Sequence, residues 1–324
     1  MPTKPRADNE PATSDLRPRW GTLHGALAER ASRLSPATRA LLWAAASGLL
    51  FGVLNALARK LTTQLDPMQA QFMRYFFGLI VLLPWVWHQG LAAYWPKRLF
   101  GQFTRGAVHT VGLVLWFIAL PKIPLADTTA IGFTGPIFIM IGAYLFLHEP
   151  MRWERWLATV LGFAGVLIVV APRLSGSGGL YQLVMFASAP VFAASFLLTK
   201  ALTRYESAGV IVLWQAISVT LFSLPLAWPV WQPMSSWQWW AFALSGVLGT
   251  GGHYCLTRAY VAADISATQS LRFLDLIWAA LLGWLIFADL PTSTTLIGGA
   301  LICTATLWVA HRESRAPAPL DQSP

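Results

Sequence analysis

Charge is what this sequence has least of. Only 11% of its 324 residues are Asp, Glu, Lys or Arg, against about 25% in a soluble globular domain. Most of its surface therefore cannot face water. Cysteine is almost missing. Cys255 and Cys303 both fall inside apolar runs, which excludes a disulfide framework and reads as two small core side chains. No apolar segment of signal-peptide type stands at the N-terminus, where residues 1–39 are polar and rich in Pro and Arg. Catalytic signatures are absent too. There is no HExxH, no GxSxG and no Walker lysine motif, and Glu149 and Asp289 fall at loops rather than together in a core. No filter-like segment or charged ring points to a channel. The basic residues are scattered over short loops, which argues against a nucleic-acid surface.

What is abundant is apolar length. The chain is 56% hydrophobic, with a mean hydropathy of +0.54. Runs of about 20 apolar residues recur, and each can cross a hydrocarbon core as a helix. In lipid the backbone must satisfy its own hydrogen bonds, which leaves helices or a closed barrel. These runs are too long and too continuous for barrel strands, so the sequence predicts an all-α integral membrane protein. Ten spans are expected, near 38–58, 67–88, 104–121, 125–147, 153–171, 181–201, 208–228, 238–260, 265–287 and 292–311. Residues 21–34 read as a solvated tail or as an amphipathic helix on the membrane face. Ser35-Pro36 suits a helix start, and Ser175-Gly176-Ser177-Gly178-Gly179 suits a flexible linker.

Orientation follows from the basic residues. With a cytoplasmic N-terminus, sixteen Lys/Arg fall in inside segments, Arg105 among them, and four (Arg59, Lys60, Lys122, Arg173) fall outside. That places both termini in the cytoplasm. The tryptophans near span ends, including Trp85, Trp87, Trp228 and Trp240, suit interfacial belts.

The stretch 124–170 joins two spans through His148-Glu149-Pro150-Met151-Arg152, and a related pair recurs from Ile265 to Ala310. The likeness is wider than that. A shift of 141 positions sets Phe51 on Phe192, Arg59 on Lys200, Pro84 on Pro225, Trp87 on Trp228, Ala126 on Ala267, Gly142 on Gly283, Phe146 on Phe287 and Pro150 on Pro291, without a gap. Each unit holds five spans, an odd number, so the second must enter the membrane upside down. Inverted repeats are a signature of secondary transporters, whose substrate site lies near the midplane between the halves. The expected organisation is a basic tail at 1–39, one unit at 40–171, a linker at 172–180, a second unit at 181–311 and a tail at 312–324.

With Ala126, Pro136, Glu149-Pro150, Gly162 and Gly165 in the first unit, and Gln269-Ser270-Leu271-Arg272-Phe273-Leu274-Asp275-Leu276-Ile277-Trp278 in the second, the chain resembles the drug/metabolite transporter superfamily of tandem EamA domains. The resemblance covers about residues 40–311. The second unit departs from the Glu-Pro pattern with Asp289-Leu290-Pro291. The resemblance implies a bacterial inner-membrane carrier of small metabolites working by alternating access, as monomer or homodimer. Members carry amino acids, cofactors such as S-adenosylmethionine, riboflavin, metallophores and drugs. The alternatives are a membrane-embedded enzyme and a non-transporting interaction protein.

Charges inside the bilayer cost at least ~2.5–3.5 kcal/mol each and call for a reason. Arg74, seven residues into the second span, has Gln215 as its repeat mate. It reads as a ligand for a carboxylate or phosphate, as a structural ion pair, or as a snorkelling side chain. Arg272 and Asp275 stand three apart on one helix. They read as a substrate or proton site, with Asp275 as the proton-coupling candidate, or as mutual neutralisation. A zwitterion would suit such a pair. His109 and His253 occupy repeat-related spans at non-equivalent positions, the mate of His253 being Gly112, and read as proton relays or as satisfied core side chains. Asn55, Asp127, Thr128 and Thr134 are further polar candidates, and Trp116, Tyr260 and Trp278 are candidate cavity walls. Gly249-Thr250-Gly251-Gly252 reads as close helix packing or a local break. No cofactor or metal is implied. With no ATPase motif, uphill movement must draw on an ion or proton gradient, on exchange or on membrane potential.

Overall fold

The structure, a computed structural model, describes residues 34–123, 128, 131–150, 152–171, 179–278, 281 and 293–315. The tail with its amphipathic segment at 21–33, Asp127, the Gly/Ser linker up to Gly178, Asp289-Leu290-Pro291 and the C-terminal tail lie outside them. Among the described residues all regular structure is helical. In chain order the helices are α1 (Pro36–Thr62), α2 (Pro67–Gln89), α3 (Leu99–Ala119), α4 (Gly135–Leu147), α5 (Trp153–Val170), α6 (Leu180–Leu202), α7 (Ala208–Ala227), α8 (Ser236–Ala262), α9 (Ile265–Gln269) and α10 (Ser293–Arg315). Of these, α1, α2, α6 and the stretch Ala208–Val230 are by length and composition clear membrane spans.

Local chemistry fixes where the helices begin. The Asp66 carboxylate accepts from the Met68 amide at 2.8 Å, with Pro67 at the first turn of α2. Its counterpart under the 141-residue shift is Ser207, whose hydroxyl caps α7 by accepting from Val210 N. Ser235 and Gln238 form a capping box at the start of α8. Pro84 in α2 and Pro225 in α7 are both accommodated within their helices. The repeat thus extends to caps and prolines.

Helix pairing shows the same relation. α1 lies along α8 while α6 lies along α3; α2 packs on α8 while α7 packs on α3; α2 meets α7 and α5 meets α10. Exchanging each helix with its mate five places on reproduces this pattern, as a two-fold axis between the halves requires. α4 packs chiefly on α6 and α5 on α10, so the expected hairpin at 124–170 splits its two arms between the helices of the other unit. Small residues permit the closest approaches: a Cβ on Gly246 would lie 2.6 Å from the Phe77 backbone, and one on Gly298 would lie 2.5 Å from the Gly165 carbonyl.

Two expected spans are interrupted. α4 proper starts at Gly135, after a turn at Phe133-Thr134, with Thr134 at the N-cap and Pro136 in the first turn. α9 gives way to a 3-10 turn at Ser270–Phe273 before helix resumes at Leu274. These breaks fall in mated helices. A third difference concerns Arg105: α3 begins at Leu99, so Arg105 is not a loop residue but lies a turn and a half inside the helix, 1% exposed.

The burial pattern departs from that of a soluble protein in that several long polar side chains lie within an apolar core while large aromatic ones face outward. Gln69, Gln71, Gln102, Arg105 and Gln215 are buried, whereas Trp87, Phe100 and Trp240 are largely exposed. Apolar side chains outside and polar ones inside are what a lipid solvent selects. Trp85 and Trp87 close α2, and Trp228, Trp231, Trp237, Trp239 and Trp240 cluster between α7 and α8, giving an aromatic belt at each end. Cys255 is buried, Cys303 partly so, and both are free thiols.

Candidate functional site

The middle of the bundle is polar, and both units build it. α2 contributes Arg74 and Tyr75, α3 contributes Arg105 and His109, α6 contributes Ser195 and Thr199, α7 contributes Gln215, and α8 contributes His253; all are buried. Helical spacing explains the convergence. Gln71, Arg74, Tyr75 and Gly78 share one face of α2, and Gln102, Arg105, Gly106 and His109 share one face of α3.

The hydrogen bonds form a directed chain. Arg105 donates through Nε to Thr199 Oγ1 (2.5 Å), through Nη1 to the Ile211 carbonyl (3.1 Å) and through Nη2 to Gln215 Oε1 (2.6 Å). Because Gln215 Oε1 accepts from Arg105, its Nε2 faces His253 Nε2 at 3.4 Å, which must accept. The Tyr75 hydroxyl lies 3.3 Å from that same nitrogen and 2.8 Å from His109 Nε2. It has one proton to give. Which histidine receives it depends on their tautomers; His109 Nδ1 in turn lies 3.0 Å from the Ser195 hydroxyl. The two imidazole rings stand 5.4 Å apart. The two histidines, at non-equivalent repeat positions, meet through Tyr75.

Arg74 is placed differently. Its guanidinium lies 5.1 Å from the Tyr75 ring, and its buried Nε has no hydrogen-bond partner. It lines a small cavity with Tyr75, Gly78, Gln215, Gly249, Thr250 and His253. The free space, about 10 Å³, is room for roughly one water. α8 runs unbroken through Gly249-Thr250-Gly251-Gly252, which resolves that motif as close packing: Thr250 meets Gly78, and Gly252 faces Phe51.

The remaining candidates lie elsewhere. Arg272 Nε and Asp275 Oδ2 pair at 3.5 Å, both partly exposed, just after the break in α9. Asp275 and Trp278 lie against Gly48 of α1. The Arg272 guanidinium sits 5.7 Å from the Phe196 ring, which is itself 6.2 Å from the His109 ring. Phe51 and Phe192 also border the histidines, so aromatic rings separate this ion pair from the polar centre. Tyr260 is fully buried among Ile139, Leu197, Leu256 and Ile265, its hydroxyl unpartnered. Trp116 packs on Leu113, Phe117 and Leu120. Thr134 donates to the Ile131 carbonyl at the break before α4. Asn55 is exposed on α1. Of the candidates named from the sequence, the structure brings Arg74, His109, Gln215 and His253 together.

Both ends of the bundle are closed. At the end where α1 begins, His148 takes a left-handed conformation (φ 56°) as the C-cap of α4, and the Glu149 amide bonds back to the Ala143 carbonyl. That turn aims Glu149 at α9. Its carboxylate accepts from the Ile265 and Ser266 amides (2.9 and 3.0 Å) and the Ser266 hydroxyl (2.5 Å). Arg155 adds bonds to Ser266 Oγ and Asp264, and Lys200 Nζ caps α8 through the Tyr260 and Ala263 carbonyls. At the other end the links are amides: Gln69 pairs with the Gln232 backbone in both directions, and Gln238 donates to Gln64.

Comparison with known proteins decides the family. The EamA-like transporter family matches twice, over residues 38–171 and 179–310. The chain belongs to the EamA-like transporter family. An S-adenosylmethionine uptake transporter of Rickettsia felis is 31% identical, over 81% of this chain and 89% of its own length. A riboflavin transporter of Rhizobium johnstonii is 34% identical, over 85% and 91%. A pseudopaline exporter of Pseudomonas aeruginosa is 28% identical, over 84% and 95%. A protein of known crystal structure superposes with a TM-score of 0.72 at 19% identity, covering 86% of this chain and 98% of that one, which shows a shared fold. The EamA-like chain is accordingly a multi-pass membrane protein of two repeats and a transporter of small metabolites, not an enzyme.

The polar centre uses residues that the sequence reading left out. Tyr75, Arg105, Ser195 and Thr199 carry most of its bonds. The signal was there, in buried polar stripes of helical period on α2 and α3 and in the Ser195/Thr199 pair one turn apart on α6. Glu149, read as a loop residue, spans two units as a helix cap.

Proposed function

We propose that this chain carries its metabolite by alternating access around the centre formed by Arg74, Tyr75, His109, Gln215 and His253. The observation that carries this reading is the convergence of those residues from both repeats onto one buried point beside a small cavity. In the proposal the units 40–171 and 181–311, joined by 172–180, rock about this point. The Glu149 latch opens one end and the glutamine links open the other. Both termini lie in the cytoplasm, the membrane is a bacterial inner membrane, and the substrate is amino-acid-like or cofactor-like. The relatives named for S-adenosylmethionine and riboflavin supply the first ligands to try.

The test is a melting-temperature panel on the purified protein with amino acids, S-adenosylmethionine and riboflavin, followed by transport of any hit in proteoliposomes. A ligand of the folded state raises the melting temperature in proportion to ln(1 + [L]/Kd). His253→Ala, still folded, is expected to abolish the shift and the transport. Undiminished transport would remove the substrate from this centre.

A second reading concerns coupling. Asp275 pairs with Arg272 beside the α9 break and against Gly48 of α1, outside the aromatic layer. We assign it proton coupling, with Asp275→Asn expected to flatten the pH dependence of transport while substrate binding persists. An unchanged pH profile would reject this role.

A further inference from the structure

The two arginines of the centre are unequal, and the repeat explains why. Gln215 is the mate of Arg74, and the position matching Arg105 in the second unit is Gly246. Arg105 reaches across to Gln215 and locks it. Across the axis there is only a glycine where the equivalent reach to Arg74 would begin, packed on the Phe77 and Gly78 backbone, and the cavity beside Arg74 is bordered by Gly78, Gly249 and Thr250. Arg74 is 9% exposed, its Nε is unpartnered, and neither it nor Arg105 forms an ion pair. Among the described residues the centre therefore holds two buried guanidinium groups and no carboxylate bonded to either, a costly arrangement within a membrane.

The direction in which Arg74 is bare is specific. A Cβ on Gly249 would lie 3.3 Å from Nε and 3.7 Å from Nη2. Gly249 thus stands against the Nε–Nη2 side of the guanidinium, the side that forms two parallel hydrogen bonds with a carboxylate once α8 moves off it. We propose that Arg74 holds a carboxylate of the transported metabolite on this edge, so that the substrate is a carboxylic or amino acid. The cavity admits roughly one water in this conformation, so the carboxylate seats itself when α2 and α8 part and the helices close behind it. The inference rests on the proposed position of the substrate at the centre.

The test offers paired ligands that differ only in the acid: methionine against methioninamide, and S-adenosylmethionine against its decarboxylated form, with riboflavin as an uncharged ligand and its phosphate ester as an alternative anion. Each is titrated against wild type, Arg74→Gln, Arg74→Lys, Gly249→Ala and His253→Ala. An acid is expected to bind at least tenfold more tightly than its partner lacking the carboxylate. That preference is expected to vanish in Arg74→Gln and to shrink in Arg74→Lys and Gly249→Ala, with the melting temperature without ligand held. Equal binding of acid and amide, tightest binding by riboflavin, or selection of the phosphate over every carboxylate overturns the proposal. If His253→Ala still abolishes binding in those cases, the substrate position stands and only the carboxylate is wrong. If neither His253→Ala nor Arg74→Gln alters binding, the position itself fails.

Discussion

Arg105 and Arg74 are buried at the same centre, on neighbouring helices of one unit, and differ in every other respect. Arg105 spends its donors on Thr199, Ile211 and Gln215. Arg74 has a ring face, a glycine and a buried nitrogen without a partner. The first is a structural cation whose hydrogen bonds offset its desolvation. The second bears the desolvation without that return, which proteins retain chiefly where a ligand supplies the missing partner. The difference lies in side chains on a duplicated frame: the repeat sets Gln215 opposite Arg74 and Gly246 opposite Arg105.

The largest expected effect tests that contrast directly. Arg105→Met would strand the Gln215 side-chain oxygen, at about 1–3 kcal/mol for a buried group left unpaired, would leave the Thr199 hydroxyl only its bond to the Ser195 carbonyl, and would free Gln215 to rotate away from His253. It is expected to melt well below wild type. Arg74→Met strands nothing and removes an uncompensated charge, so it is expected to melt at or above wild type while losing transport. The comparison breaks if the two variants melt in the opposite order.

The next effect asks whether the halves yield equally. A Cβ on Gly246 meets the backbone of Phe77 and Gly78, whereas one on Gly106, in the mated α3–α7 contact, meets only Ser218. Backbone cannot retreat without moving α2 away from α8. Gly246→Ala is expected to cost about 1–3 kcal/mol, in the range of overpacked cores, with no single-site rescue. Gly106→Ala is expected to be rescued by Ser218→Gly. Thermal melts of the two single variants and the double variant decide it, and rescue failing at Gly106 would show the mated contact to be just as rigid.

Much of this frame could be read from residue order. The 141-residue shift carried Pro84 onto Pro225, and the structure adds the caps Asp66 and Ser207 in the same register. Arg74, Gln215 and His253 were visible because a polar side chain in a long apolar run is conspicuous. Arg105 was not, because Lys97 and Arg98 just before it made it look like the tail of a basic loop. Tyr75 and Ser195 were missed because neither is unusual in a membrane helix; only the crossing of α2, α3, α6 and α8 makes them a chain. The breaks in α4 and α9 were hidden because hydropathy is blind to backbone geometry, although Gly132, Gly135 and Pro136 stood at the first of them.

The smallest expected effect concerns the two closed ends. One is held by a carboxylate accepting three hydrogen bonds across the units, with Arg155 and Lys200 beside it. The other is held by neutral amides of Gln69 and Gln238. Glu149→Gln keeps the size of the cap and removes its charge. It is expected to cost about 1 kcal/mol, as lost helix caps do, and to speed hydrogen exchange at the Ile265 and Ser266 amides while Gln232 at the far end keeps its protection. Exchange rising equally at both ends would mean that the ends are coupled even in the closed state. Selective loosening would mean that the ionic end opens independently, which a carrier that never opens both ends at once requires.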